Sequence, residues 1–284
     1  MSPIIRSTLV TALLVIAAAP VAAQTPAPPD TTQQTRAQLA ASFNNAGLQQ
    51  SIERSVSRRL THSTNPWLAD AHVSAGGSLA LTPASARGGL WAEVAPLSVL
   101  VIRAGIDPSH YFGTFDSVTS FDRREAAFDD DARKAAGNAR AGQTVKFFVS
   151  PTLQARVGHI AGQVSADFER WSSSADGPYF YEPTRDTLLA VRGDRLATIS
   201  SVVLREWTLD GGGMLSVGPM HSLMRVGSGS FNQIQKAGVV ASLQTAGRHA
   251  GLLAPKATVV IARYLDDPNK KGQWSAAVAL SIVR

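Results

Sequence analysis

The chain contains no cysteine. Disulfide-stapled scaffolds, cysteine-ligated zinc and thiol redox chemistry are therefore excluded, as is a lipid anchor carried on cysteine. Long apolar runs are also lacking. Beyond residue 23 none reaches the ~18 residues expected of a transmembrane helix. Basic residues exceed acidic ones by 27 to 21, a net charge of +6, but they are scattered. A nucleic-acid reader gathers its cations on one face, so nucleic acid is not an expected partner. The mild excess suits a solvated surface, or contact with acidic outer-membrane lipid or lipopolysaccharide.

What is present begins with an export signal. Arg6 gives a short positive start, Leu9–Val21 is apolar apart from Thr11, and Ala17–Ala23 supplies small residues for cleavage before Gln24. This three-part pattern predicts a cleaved signal peptide over residues 1–23. The Pro/Thr/Gln-rich stretch that follows lacks large apolar residues through Gln34. Residues 24–46 are thus expected to form a disordered or partly helical periplasmic leader, and residues 47–284 the folded domain.

From about residue 70 the sequence alternates with a period of two. In 145–157 one face carries Val145, Phe147, Val149, Leu153 and Val157, and the other Lys146, Ser150, Thr152, Gln154 and Arg156. After a turn at Gly158-His159, Val164 and Phe168 alternate with Asp167 and Glu169. Near the end of the sequence Val278, Leu280 and Ile282 hold the same register. Alternation over 10–13 residues is a strand signal. Its length exceeds the 5–6 residues usual in soluble sandwiches and meets the ~9–11 of a membrane-crossing strand. The expected fold is all-β, an antiparallel up-and-down transmembrane barrel of about 12 strands. Lys146, Arg156, Asp167 and Glu169 would face the lumen. Phe147, Val149, Leu153, Val164, Phe168, Val278, Leu280 and Ile282 would face lipid. Trp91, Trp171, Tyr179, Tyr181, Trp207, Tyr264 and Trp274 lie near segment ends, as aromatic girdles do.

Turn residues divide the rest into further strands, 178–190 among them, for a total of eleven. Single-chain bacterial barrels have even counts, so either 48–60 or 109–121 supplies a twelfth. Long loops belong outside the cell, yet eight strands counted after 122–142 return that loop to the periplasm. Either one strand after residue 145 is miscounted or the loop breaks the rule. Residues 125–137 suit a short helix.

Catalytic and metal patterns are sparse. The six histidines form no close metal-binding pair, and no G-x-S-x-G elbow occurs. His221-Ser222 has nothing beside it in sequence to orient it. Asp129-Asp130-Asp131 and the group Asp266, Asp267 and Asn269 lack the alternate spacing of a calcium loop. No catalytic residue, cofactor or metal is expected.

Glu93–Gly105 followed by Tyr111-Phe112-Gly113 resembles uncharacterised outer-membrane β-barrel proteins of Gram-negative bacteria. The last strand resembles the signature read by the barrel assembly machinery, with Arg284 where Phe or Trp is usual. The resemblance implies an outer-membrane location and the assembly machinery as a partner, not an activity. The expected function is a structural or small-solute, porin-like channel. A lipid-acting barrel enzyme and a soluble exported β-sandwich binding protein are the alternatives.

Overall fold

Period-two alternation places successive side chains on opposite faces of an extended strand, and the chain uses this almost throughout. The computed structural model describes residues 30–44, 47–227, 232–246 and 253–284. The expected signal peptide, residues 1–23, and most of the expected turns at 227–229 and 247–249 lie outside the described residues. The strands are β1 (Thr31–Phe43), β2 (Gly47–Arg59), β3 (His72–Leu81), β4 (Ser85–Leu97), β5 (Leu100–Phe112), β6 (Ser120–Phe121), β7 (Ala141–Val157), β8 (Ile160–Ser173), β9 (Tyr179–Glu182), β10 (Thr187–Ala190), β11 (Asp194–Thr208), β12 (Met214–Val226), β13 (Gln233–Gln244), β14 (Leu253–Asp266) and β15 (Trp274–Val283).

Twelve of these form one closed antiparallel barrel, and β6, β9 and β10 form a separate three-stranded sheet. Every pairing around the wall joins consecutive wall strands, β5 with β7 and β8 with β11 included, except the seam where β1 meets β15 with Leu39 opposite Leu280. Reciprocal backbone bonds of 2.8 Å between Thr35 and Arg284 extend that seam. Because one sheet closes on itself, the sandwich alternative falls.

The strand pairing corrects some sequence expectations and decides between others. The leader expected over 24–46 becomes, from Thr31, the first barrel strand, paired with β2 and β15. Residues 48–60 also fall on a barrel strand, whereas 109–121 only ends β5 and supplies the two-residue β6. Segment 178–190 is not in the wall at all, but forms the β9–β10 hairpin. Removing it leaves seven wall strands after the 122–142 loop. The loop therefore sits at the upper end, opposite Thr31 and Val283, together with 174–193 and 267–273. The lower end carries tight connections such as Val157-Gly158-His159-Ile160, where Gly158 (φ 57°) supplies the left-handed residue of a two-residue turn. The expected helix is shorter than 125–137. It runs Asp130–Ala136, between the Asp129 side chain, which accepts from the Ala132 N–H, and Gly137 at φ 61°.

The outer wall is apolar around much of its circumference, with Leu39, Ile52, Leu90, Phe168, Ile199 and Ile261 all about half exposed or more. The core lies inside the barrel, under the upper loops. Tyr111, Trp171, Leu196, Met224, Ile234 and Tyr264 from the wall pack on Val118, Phe180 and Leu189 from the loops. Phe121, Phe128, Tyr181 and Leu188 form the loops' own cluster. These loops make a plug. The aromatic girdle is corrected accordingly. Trp91, Trp171, Tyr181 and Tyr264 are buried inside the molecule, while Trp207 and Trp274 remain outside.

If β1 closes the barrel, deleting residues 31–43 exposes unpaired edges on β2 and β15. The deleted protein is expected to lose the compact, heat-modifiable gel band that the intact chain gives.

Candidate functional site

The interior is built from side chains that strand register brings to one face. Asp107 of β5 stands opposite Lys146 of β7, which stands opposite Trp171 of β8. Lys146 Nζ lies 2.7 Å from Asp107 and 3.9 Å from Glu169. Glu169 accepts from Trp171 Nε1 at 2.7 Å and is gripped by Arg185, whose Nε is 3.1 Å away. Arg185 comes from the turn between β9 and β10, so the plug's tip enters the charged network. Nearer the lower end Arg103 pairs with Glu93 at 2.8 Å and Glu53 at 3.3 Å, and its guanidinium lies 3.8 Å from the centre of the Trp91 ring. His72 also reaches Glu93, at 3.3 Å. Two inward glycines make room for this layer. A Cβ on Gly76 would stand 2.6 Å from Trp91, and one on Gly89 would stand 2.2 Å from Asp107.

These residues surround a chamber of about 290 Å³ beneath the plug, lined among others by Arg103, Asp107, Lys146, Asp167, Glu169 and Arg185. The structure thus brings together three of the four polar residues singled out in the sequence. Arg156 stands apart, 2.7 Å from Glu206 of β11. Phe147, Val149, Leu153, Val164, Phe168, Val278 and Leu280 lie exposed on the outer face. Ile282 shares that face by register with Ala37, though less exposed. Arg185, Asp107 and Arg103 were not foreseen. Asp107 and Arg103 sit on a strand whose alternation is weak, and Arg185 lies in the segment mistaken for a wall strand.

The interior is lopsided. The β11–β14 side presents Val202, Leu204, Met220, Val240 and Val260, a buried apolar patch, facing the charged β2–β8 side.

The plug is held by polar ties as well as its core. Glu182, fully buried, accepts from the Tyr111 hydroxyl at 2.6 and 2.8 Å and from Thr184. Burial pushes its carboxyl up, against the donations of Thr184 and Tyr111. Asp186 accepts from the Tyr181 hydroxyl at 2.7 Å and pairs with Lys270 of the 267–273 loop. Burial pushes the Asp186 carboxyl up too, but Lys270 and Tyr181 outweigh it and hold it below the usual range. Arg124 anchors a second loop on Asp194 at 2.8 Å.

The remaining candidate clusters are structural. Asp129 caps the helix and Asp130 pairs with Arg133. Asp267 accepts from the backbone of Asn269 and Lys270 at 2.8 and 2.7 Å. Among the described residues no group of three potential metal ligands forms. His221 and Ser222 point to opposite faces of β12, which separates them. His221 faces out, in register with Ser201 and 2.9 Å from Gln235 Nε2. Among the described residues no hydrogen bond joins it to Ser201 and no carboxylate bonds the ring, so nucleophile, base and orienting group are not assembled there.

Two outcomes follow. Replacing Arg185 by Met leaves Glu169 buried with only Lys146 as a distant counter-charge, which should cost about 3 kcal/mol and raise amide exchange in 178–191 roughly 100-fold. Asp186 has a lowered pKa when folded, so its contribution is present above its ordinary 3.8 and lost as pH falls through the lowered value. Plug protection is expected to drop in acid below about 3.8. In Asp186→Asn that acid-dependent part should be missing when the two exchange profiles are subtracted.

No family model and no curated protein matches the chain. Among solved structures, the β-domain of the Bordetella autotransporter BrkA is similar over 89% of this chain and 99% of its own, at 13% identity and a TM-score of 0.47. The translocator domain of the autotransporter NalP from Neisseria meningitidis is similar over 90% and 88%, at 8% identity and a TM-score of 0.41. OmpT, an outer membrane protein of Vibrio cholerae, is similar over 89% and 98%, at 7% and 0.37. The closed barrel rests on its own strand pairing, and these likenesses assign it no activity.

Proposed function

We propose that the protein is an outer-membrane barrel that passes a small solute through a lumen gated by its own loops. The observation that carries the channel reading is the chamber of about 290 Å³, walled by ion-paired side chains and roofed by a hairpin whose tip, Arg185, is itself one of the lining groups. A barrel kept only as a scaffold needs no such space, and the tip that roofs it, Arg185, is held there by an ion pair to Glu169.

Three features support the membrane placement. The outward face carries large exposed apolar side chains, a pattern that in a soluble monomer would be an aggregation hazard. The inward face of the same strands carries the charges. The two longest connections, 113–140 and 174–193, lie at one end and the two-residue turns at 98–99 and 158–159 at the other, as in barrels whose longest loops are extracellular. In this reading Phe147, Val149, Leu153, Val164, Phe168, Val278, Leu280 and Ile282 meet outer-membrane lipid or lipopolysaccharide. Strand β15 is what the barrel assembly machinery reads, with Arg284 committed through its backbone to the seam.

Planar-bilayer recording tests the gate. The intact protein is expected to give little or no current, and a variant lacking residues 178–191 a conductance severalfold higher. A folded deletion variant that carries no current would sink the channel reading. Recovery of the intact protein wholly in the soluble periplasmic fraction would sink the membrane reading.

A further inference from the structure

A second interior space lies on the other side of the plug's tip. It measures about 90 Å³ and is bounded by Met220, Met224, Ile234, Val260, Ala262 and Tyr264 of the wall, with the Arg185-Asp186 turn beside it. A buried water needs about 10–15 Å³ of such space, so this one exceeds a single water but is far short of a lipid acyl chain. Its lining is mainly apolar, yet two polar groups open onto it without a hydrogen-bond partner. Lys236, inward on β13, makes neither an ion pair nor a hydrogen bond among the described residues. Its Nζ lies 4.2 Å from the centre of the Tyr264 ring. Thr198, inward on β11 and 5% exposed, has a buried hydroxyl with no partner.

Of the neighbouring charges, Arg185 is committed to Glu169 and Asp186 to Lys270 and Tyr181, while Asp267 gives one carboxylate oxygen to two backbone N–H groups and keeps the other without a hydrogen-bond partner. Lys236 is therefore the cation left over. An interior lysine and a buried hydroxyl left unsatisfied are costly, and one bound anion would satisfy both. A mainly apolar pocket with a few convergent polar groups is the usual form of a small-molecule site.

We propose that this pocket binds a small organic monoanion, a compact apolar or aromatic body bearing one carboxylate, with the carboxylate on Lys236 and Thr198 and the body against Met220, Met224 and Tyr264. The proposal rests on the channel reading only for its meaning in transport. Binding is measured in detergent solution, where it succeeds or fails whatever current crosses a bilayer.

The test is isothermal titration of the refolded full chain with benzoate, and with benzyl alcohol as its uncharged counterpart. Saturable benzoate binding is expected, with benzyl alcohol at least about tenfold weaker, the loss that accompanies one charge-assisted hydrogen bond. Lys236→Met should weaken benzoate by a similar factor, Lys236→Arg should largely keep it, and Thr198→Val should cost a smaller factor. Should Lys236→Met fail to fold, the Thr198→Val variant and the comparison with benzyl alcohol still decide. Equal binding of the two compounds, or benzoate binding untouched by both substitutions, overturns the carboxylate assignment. Inorganic phosphate binding as tightly as benzoate overturns the apolar half, and no saturable binding of any of them overturns the site.

Discussion

Every wall strand must find partners for its backbone on both edges, and the pairing of β1 with β15 is what completes the set. An open twelve-stranded sheet would expose two rows of N–H and C=O groups, intolerable where no water can reach them. Closure removes both edges at once. It also divides the side chains into two populations that never meet. One population is half exposed and apolar, typified by Phe147 and Leu280. The other, enclosed, can hold charges such as Lys146 and Glu169, because each finds a counter-charge a strand or two away.

What the sequence disclosed depended on how strictly a segment obeyed the two-residue period. Residues 145–169 alternate large apolar with mostly polar side chains and 274–283 large apolar with mostly small ones, and their register is readable to the residue. Strand β1 alternates too, but its outer face carries Gln33, Thr35, Ala37 and Ala41 beside Leu39 and Phe43, too little contrast to show. The opposite error arose at 178–190. That segment is rich in apolar and aromatic residues, and both of its faces are covered. Phe180 and Leu189 press on the wall cluster, Tyr181 and Leu188 on the loop cluster. Two short apolar runs, Tyr179–Tyr181 and Leu188–Ala190, on either side of a polar turn are the mark of a hairpin buried on both sides, not of a wall strand facing two environments. That single misreading also produced the conflict between the strand count and the outer side expected of the 122–142 loop.

The candidate sites were legible only in part, for a related reason. Lys146, Asp167 and Glu169 belong to clean strands, so their shared face followed from spacing. Arg185 joins them across the barrel from a loop, and spacing says nothing about such a contact. Lys236 and Thr198 line one space from the strands on either side of β12, and spacing alone does not show that the space is there. The lopsided interior is likewise a product of closure. Inward positions of β2–β8 are rich in charge and those of β11–β14 in valine and methionine, and bending the sheet into a tube sets one against the other.

The seam has a consequence for how the molecule forms. Every other contact in the wall is between consecutive wall strands and can be made as soon as the next one emerges, across a short turn or, for β5–β7 and β8–β11, across a plug loop. The contact of Leu39 with Leu280 spans nearly the whole sequence, and the entropy of drawing those ends together is met only when all the intervening strands are in place. Until then β1 waits with one edge bare. The slow step in making this barrel is therefore expected to be the closing of its circle, and the exposed edge of β1 is what must be shielded in the meantime.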